Sequence, residues 1–299
     1  MAISRRTLLV GAATWTAVGA HAWWRRPPPP PRGTRLVSWN LRNFSGRSDA
    51  TSRHAPGHDL ERLAGHLEVL DADVYCFQEV LEPSALEPLL PGFRLEASET
   101  GGGHGQHLVI ARRRDLAATP ARTDPCTALT PRLRPVLSQR IALPLGQVSV
   151  AVVHLKASQR GFEVRRAQRA ALVQRLRSLP TPRLVVGDFN TTGSTVVSSQ
   201  AEIASWADAL SQVDLHRVTP AEPCTAYWEG ARFDRFKEPS TLDHVFVDGA
   251  PPFASAVRVA PGTLCDRHHC GVLSSTDAYP DLDYERVSDH CPLVIDVSA

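Results

Sequence analysis

Acids, amides and histidines stand at the ends of apolar, β-branched runs along this chain. Asn40 directly follows Leu36–Trp39, Glu79 follows the run that opens at Val74, and His154 follows Val148–Val153. Asp188 and Asn190 come one glycine after Leu184–Val186. Asp243 leads into Val245–Val247, and Asp289 and His290 lead into Leu293–Val297. Carboxylates hold hard divalent cations, histidine moves a proton near neutral pH, and amides donate to a developing negative charge. Together these groups suit hydrolysis of an anionic ester. Singly, each residue reads as a turn, cap or edge residue. What calls for chemistry is their joint occurrence.

The elements that would position them are legible from periodicity. The apolar runs, with Leu108–Ala111 among them, have the length and composition of strands. Leu60, Leu63, Leu67 and Leu70 fall at helical spacing, and residues 163–179 carry arginines on one side with Leu172 and Leu176 on another. Alternating strands and helices predict an α/β domain with mixed sheets. If the first strands arrive at one rim and later antiparallel strands leave it, all the polar residues converge on one edge.

Ser38-Trp39-Asn40-Leu41, Gln78-Glu79-Val80, Val153-His154-Leu155-Lys156, Gly187-Asp188-Phe189-Asn190, Leu242-Asp243-His244 and Ser288-Asp289-His290 resemble the successive signatures of the endonuclease/exonuclease/phosphatase family. The resemblance runs from residue 35 to the end of the chain. It implies a four-layer sandwich, two packed mixed β-sheets flanked by helices, and phosphoester hydrolysis dependent on Mg²⁺, with Mn²⁺ or Ca²⁺ as alternatives. Glu79 is then the first carboxylate ligand, with Asn40 beside it and Asp289 as a further contributor. His290 is the natural base, oriented by Asp243, and Asp188 either orients the water or takes the base role itself. Asn190 would donate to a phosphoryl oxygen. His154 resembles the second histidine of the nuclease and sphingomyelinase branches, which stabilises the phosphate or protonates the leaving group. In the secreted DNase branch a glutamate on a neighbouring strand pairs with that histidine. Here the region reads Gly101-Gly102-Gly103-His104-Gly105-Gln106-His107, which leaves Gln106 or His107 to substitute and reads as a mobile glycine loop.

Arg42, two places after Asn40, and Arg134, before Pro135, resemble elements of the DNase I branch. They are the candidates for gripping a phosphate backbone, with DNA, cut internally, as the expected substrate. A sphingomyelinase-like phospholipid phosphodiesterase is the rival reading. It needs an apolar docking surface, and no strongly apolar hairpin stands out in a chain with 6% aromatic residues. An inactive, ligand-binding family member is the third reading, against which the complete set of acids, amides and histidines argues.

Composition describes an ordinary globular protein, with 42% hydrophobic and 21% charged residues in 299. The formal net charge of +2 includes Arg5 and Arg6, so the total makes no case for a polyanionic partner. Residues 1–22 read as an export signal of twin-arginine type, Arg5-Arg6 being followed by an apolar run and Ala20-His21-Ala22. Export would place the chain in the periplasm or outside the cell. Residues 23–32 form a proline-rich linker, and a single domain is expected over 33–299. Six cysteines suit an oxidising compartment. The short spacing joins Cys265 to Cys270, Cys126–Cys224 is a possible long-range pair, and Cys76 and Cys291 are expected as buried free thiols.

Overall fold

Period-two alternation in the apolar runs decides which face each strand buries. The computed structural model describes residues 33–49, 57–219, 224–229, 235–250 and 252–298, so the expected export signal and proline linker lie outside the described residues. In chain order the strands are β1 (Thr34–Phe44), β2 (Val74–Val80), β3 (Phe93–Ala97), β4 (His107–Arg113), β5 (Arg122–Asp124), β6 (Val136–Leu143), β7 (Gly146–His154), β8 (Arg183–Asp188), β9 (Leu215–Arg217), β10 (Ala226–Glu229), β11 (Phe236–Ser240), β12 (Asp243–Asp248), β13 (Val257–Pro261), β14 (Leu273–Ser274) and β15 (Leu293–Val297). The helices are α1 (Leu60–Leu70), α2 (Phe162–Leu176), α3 (Ser199–Ser211), α4 (Phe253–Ala256), α5 (Thr263–His268) and α6 (Leu282–Arg286). Among the described residues none is long and apolar enough to cross a membrane.

Two six-stranded sheets form, in the orders β13-β15-β1-β2-β4-β3 and β5-β6-β7-β8-β12-β9, with a small third sheet β10-β11-β14. Both large sheets are mixed: β1 and β2 are parallel, as are β7 and β8. Alternate residues such as Leu36, Val74 and Ile110 from one sheet, and Val150, Val186 and Val245 from the other, share the core between them. The opposite faces take the helices. Val37 and Tyr75 pack on Leu63, Leu67 and Leu70 of α1, and Val153 and Val185 on Leu172 of α2 and Trp206 of α3. Full burial of each such side chain contributes about 1.5–3 kcal/mol. The expected four-layer architecture is the one observed.

Two features were not legible in the sequence. One of the α2 arginines, Arg165, is fully buried. Its guanidinium holds Glu202 of α3 bidentately at 2.7 and 2.8 Å and donates to the carbonyls of Lys156 and Ser158. The cysteine pairing also differs: the disulfides are Cys224–Cys270 and Cys265–Cys291, and Cys76 and Cys126 are free. Residue spacing favoured Cys265–Cys270, but α5 turns Cys265 inward to pack with Leu264, Tyr284 and Cys291 under the small sheet. Cys291 is buried as expected, but bonded.

Candidate active site

The topology carries the polar strand ends to one rim. Asn40, Glu79, His154 and Asp188 sit at the arriving ends of two parallel strand pairs, while Asp243, at the start of antiparallel β12, pairs with Asp188. Gly187 makes this approach possible. At its φ of +133° an added Cβ would lie 2.1 Å from the Val153 carbonyl oxygen, so β8 can close on β7 only with glycine there. His154 and Asp188 become register partners. Glu79, Asn190 and Arg42 adopt φ of 56°, 52° and 48°, left-handed conformations that cost non-glycine residues about 1–3 kcal/mol each and cluster at functional sites.

The side chains then interlock. Asn40 Nδ2 donates to Glu79 Oε1 at 3.2 Å and to Asp188 Oδ2 at 3.1 Å. Asp188 also accepts from the Asn190 backbone N–H at 2.8 Å and from its Nδ2 at 2.9 Å. His154 Nε2 stands 3.5 Å from a carboxylate oxygen of both Glu79 and Asp188. His290 Nδ1 bonds Asp243 Oδ2 at 2.8 Å, which leaves Nε2 3.9 Å from Asp188 Oδ2. Backbone anchors hold the frame: Ser288 Oγ donates to the Asn40 carbonyl, Trp39 Nε1 to that of His290, and the Leu242 and Asp243 amides to Thr225 Oγ1.

Burial and crowding set the charge states. Asp188 is raised to about 7, burial outweighing the favourable charge of His290, with the Asp243 and Glu79 carboxylates adding to the rise. Glu79 is raised by burial and by Asp289. Burial pulls His154 well below the usual histidine range, helped by Arg134 and His290. Burial alone would lower His290 too, but Asp243, Asp188 and Asp289 outweigh it and hold it well above that range.

Two carboxylates that burial and neighbouring carboxylates push upward are a pair that a bound cation would stabilise in their charged forms. Glu79, His154 and Asp188 offer ligand atoms within 4.8 Å of one another, and the oxygen-rich set fits a hard divalent ion. Asp289 belongs to the rim without joining that group. Its carboxylate is about one-third exposed and lies 3.9 Å from Arg42 Nε. Asn40, expected as a ligand, bridges the two carboxylates through its amide, while its Oδ1 accepts from the Arg42 backbone N–H.

The two arginines are at the site but engaged internally. Arg42 donates to the Tyr284 carbonyl at 2.7 Å and lies 5.3 Å from the centre of the Tyr284 ring. Arg134 is buried and donates to the Leu155 carbonyl at 2.6 Å. Gln106 and His107 do not replace the missing glutamate: Gln106 donates to Asn43, and His107 Nδ1 meets the Ser98 carbonyl. His154 Nδ1 has no hydrogen-bond partner among the described residues. Gly101 and Gly102 of that loop serve close packing, since a Cβ at Gly102 would fall 2.8 Å from the Arg132 carbonyl oxygen. Sequence reasoning missed the supporting residues Ser288, Thr225 and Arg165. Ser288 belongs to the Ser288-Asp289-His290 signature, and for the other two no local signal exists.

A family model described as Endonuclease/Exonuclease/phosphatase family matches residues 37–290. No curated protein matches the sequence. Among solved structures, D. rerio TDP2 complexed with single strand DNA product is similar at 17% identity and a TM-score of 0.62, over 89% of this chain and 99% of that one. The human Nocturnin catalytic domain with bound sulfate is similar at 20% identity and a TM-score of 0.58, over 89% and 94%. A Bacteroides thetaiotaomicron endonuclease/exonuclease/phosphatase family protein gives 19% and 0.58, over 89% and 97%. At these identities the likeness is one of fold.

Proposed function

Because the chain belongs to the endonuclease/exonuclease/phosphatase family, whose enzymes hydrolyse phosphodiester bonds, we propose that it is an exported, divalent-metal-dependent phosphodiesterase that cuts DNA internally. The observation that carries this reading is the facing of two devices across one rim: the Asp243–His290 pair on one side, and Glu79, Asp188 and His154 on the other. The D. rerio TDP2 complex with single strand DNA product supports nucleic acid as substrate. Two disulfides suit export, and N-terminal sequencing of the exported form should find its start near Trp23.

Glu79 and Asp188 would hold the cation, with Asn40 and Asp289 beside it. Bound there, Mg²⁺ would neutralise the phosphate and lower the barrier to an attacking hydroxide. Asp243 fixes His290 so that Nε2 faces the cleft and can take a proton from water. Asp188 lies close enough to orient that water or to act as the base. His154 is held neutral, so it fits hydrogen bonding to a phosphoryl oxygen better than protonation of a leaving group. Both Asn190 amide hydrogens are engaged, one of them in a 3.3 Å contact with the Leu155 carbonyl. Release of that weaker contact would free a donor for the phosphate.

One observation favours the lipid reading that sequence disfavoured. Five of the seven large apolar side chains exposed among the described residues, Trp228, Phe236, Val272, Tyr279 and Leu282, lie between positions 228 and 282. Activity of the purified protein on DNA, RNA, sphingomyelin vesicles and inositol phosphates, with Mg²⁺ and with chelator, separates the readings. DNA hydrolysis abolished by chelator is expected. Faster turnover of sphingomyelin under matched Mg²⁺ would replace the nuclease with a lipid phosphodiesterase.

A further inference from the structure

The exposed face of the small sheet opens beside the catalytic histidine. Ala226 and His290 form an antiparallel bridge, so their side chains share a face of the strand pair. Trp228, two residues along β10, falls on that same face, about 7 Å further from the bridge. Glu238 is the direct cross-strand partner of Trp228, and Phe236 follows on the same face, paired with Ser274 of β14. The alternate residues Tyr227 and Lys237 are buried on the other side. Trp228 is 47% and Phe236 40% exposed, and the Arg235 guanidinium lies 4.9 Å from the centre of the Phe236 ring. On β11 the exposed Phe236 and Glu238 flank the buried Lys237, and Trp228, the register partner of Glu238, shares that outward face.

We propose that Trp228 and Glu238 form a subsite for an unstacked nucleobase, the one attached to the phosphodiester held at His290, with Trp228 as the stacking platform and Glu238 as acceptor for the exocyclic amine of cytosine or adenine. The proposal rests on the nucleic-acid reading above. A base whose phosphate sits at the rim is tethered within a few bond lengths of the shelf. Stacking on an aromatic face tolerates any base, and a carboxylate at its edge selects those that carry an amine. Glu238 also decides between occupants. An exposed carboxylate set directly opposite the indole opposes insertion into a lipid interface, where acids lose hydration and meet anionic headgroups. The same carboxylate has a partner in an amine-bearing base. Because a paired base cannot leave its stack without cost, the subsite favours single strands or frayed ends over intact duplex.

The test uses the purified full chain with Mg²⁺ and oligonucleotides cleaved at one defined bond. Trp228→Ala, whose native side chain is half exposed, should keep its thermal midpoint and raise KM on single-stranded DNA roughly 5- to 150-fold, the range supplied by a base–aromatic stack. Trp228→Phe should restore most of the affinity. On the same strand with the adjacent base removed (an abasic nucleotide), the loss caused by Trp228→Ala should shrink towards none. Glu238→Gln should narrow the preference for cytosine over thymine at that nucleotide. Single-stranded DNA cleaved by wild type and by Trp228→Ala with equal KM would overturn the subsite while leaving the nuclease reading standing. Cleavage of no nucleic acid, with turnover of phosphatidylcholine or sphingomyelin vesicles that Trp228→Ala weakens, would overturn the nuclease reading and assign the shelf to lipid.

Discussion

His290→Asn is expected to lower kcat roughly 10²- to 10⁴-fold, the contribution of a positioned acid–base group, while the protein stays folded. Asparagine is the informative replacement because its amide can still donate to Asp243, as Nδ1 now does at 2.8 Å. Alanine would leave the Asp243 carboxylate, 1% exposed, without its ionic partner, and breaking a buried pair costs about 3–5 kcal/mol. The pH profile carries a second signature. A base acts in its neutral form, and the carboxylates around His290 hold its pKa well above the ordinary histidine range. The rate should therefore keep climbing with pH beyond the point where a free histidine has lost its proton. His290→Asn should erase that rising limb. If the limb survives in the variant, Asp188 is the base; if turnover itself survives near the wild-type level, the rim has been misassigned.

The largest effect on stability should come from Arg165→Ala. All of its donors are used: besides Glu202, Lys156 and Ser158 it reaches Thr192 and the Gly193 carbonyl at 3.1 Å. The Glu202 carboxylate, 2% exposed, also accepts from the Gly193 N–H at 2.8 Å. This pair staples the loop after His154 to the loop after Asn190. Removing the cation leaves a buried anion and several unpaired carbonyls, at a cost of about 3–5 kcal/mol, measurable by denaturant unfolding. The double variant Arg165→Met with Glu202→Leu should recover part of that loss, because no charge is then stranded. Equal midpoints for wild type and Arg165→Ala in urea would contradict the assignment.

Arg165 also marks where the sequence stopped being legible. Seven strands (β1, β2, β4, β7, β8, β12 and β15) and helices α1 and α2 could be read because burial repeats locally, along an apolar run or one helical face, whereas the short edge strands and α3 carry no such run. The convergence of Asn40, Glu79, His154, Asp188, Asp243 and His290 could be read because strand direction follows from which end of each run carries the polar residue. A buried arginine looks like its solvated neighbours in α2, since what distinguishes it is Glu202 on another helix. The disulfides failed for the same reason: Cys265 and Cys270 are close in sequence, but their partners Cys291 and Cys224 are brought in by the packing of the small sheet. The apolar shelf at Trp228 was equally hidden, because exposure is a property of the sheet's free face and not of composition.

The central claim, that the rim carboxylates hold a divalent cation for phosphodiester hydrolysis, is tested most directly by titrating Mg²⁺ into a DNA-cleavage assay with wild type and Glu79→Gln. Glutamine keeps the shape and removes the charge. The Mg²⁺ concentration for half-maximal rate should rise at least about tenfold, equivalent to roughly 1.4 kcal/mol of lost binding, with wild type inactive in chelator. Hydrolysis that persists in chelator, or identical Mg²⁺ curves for the two proteins, would contradict it.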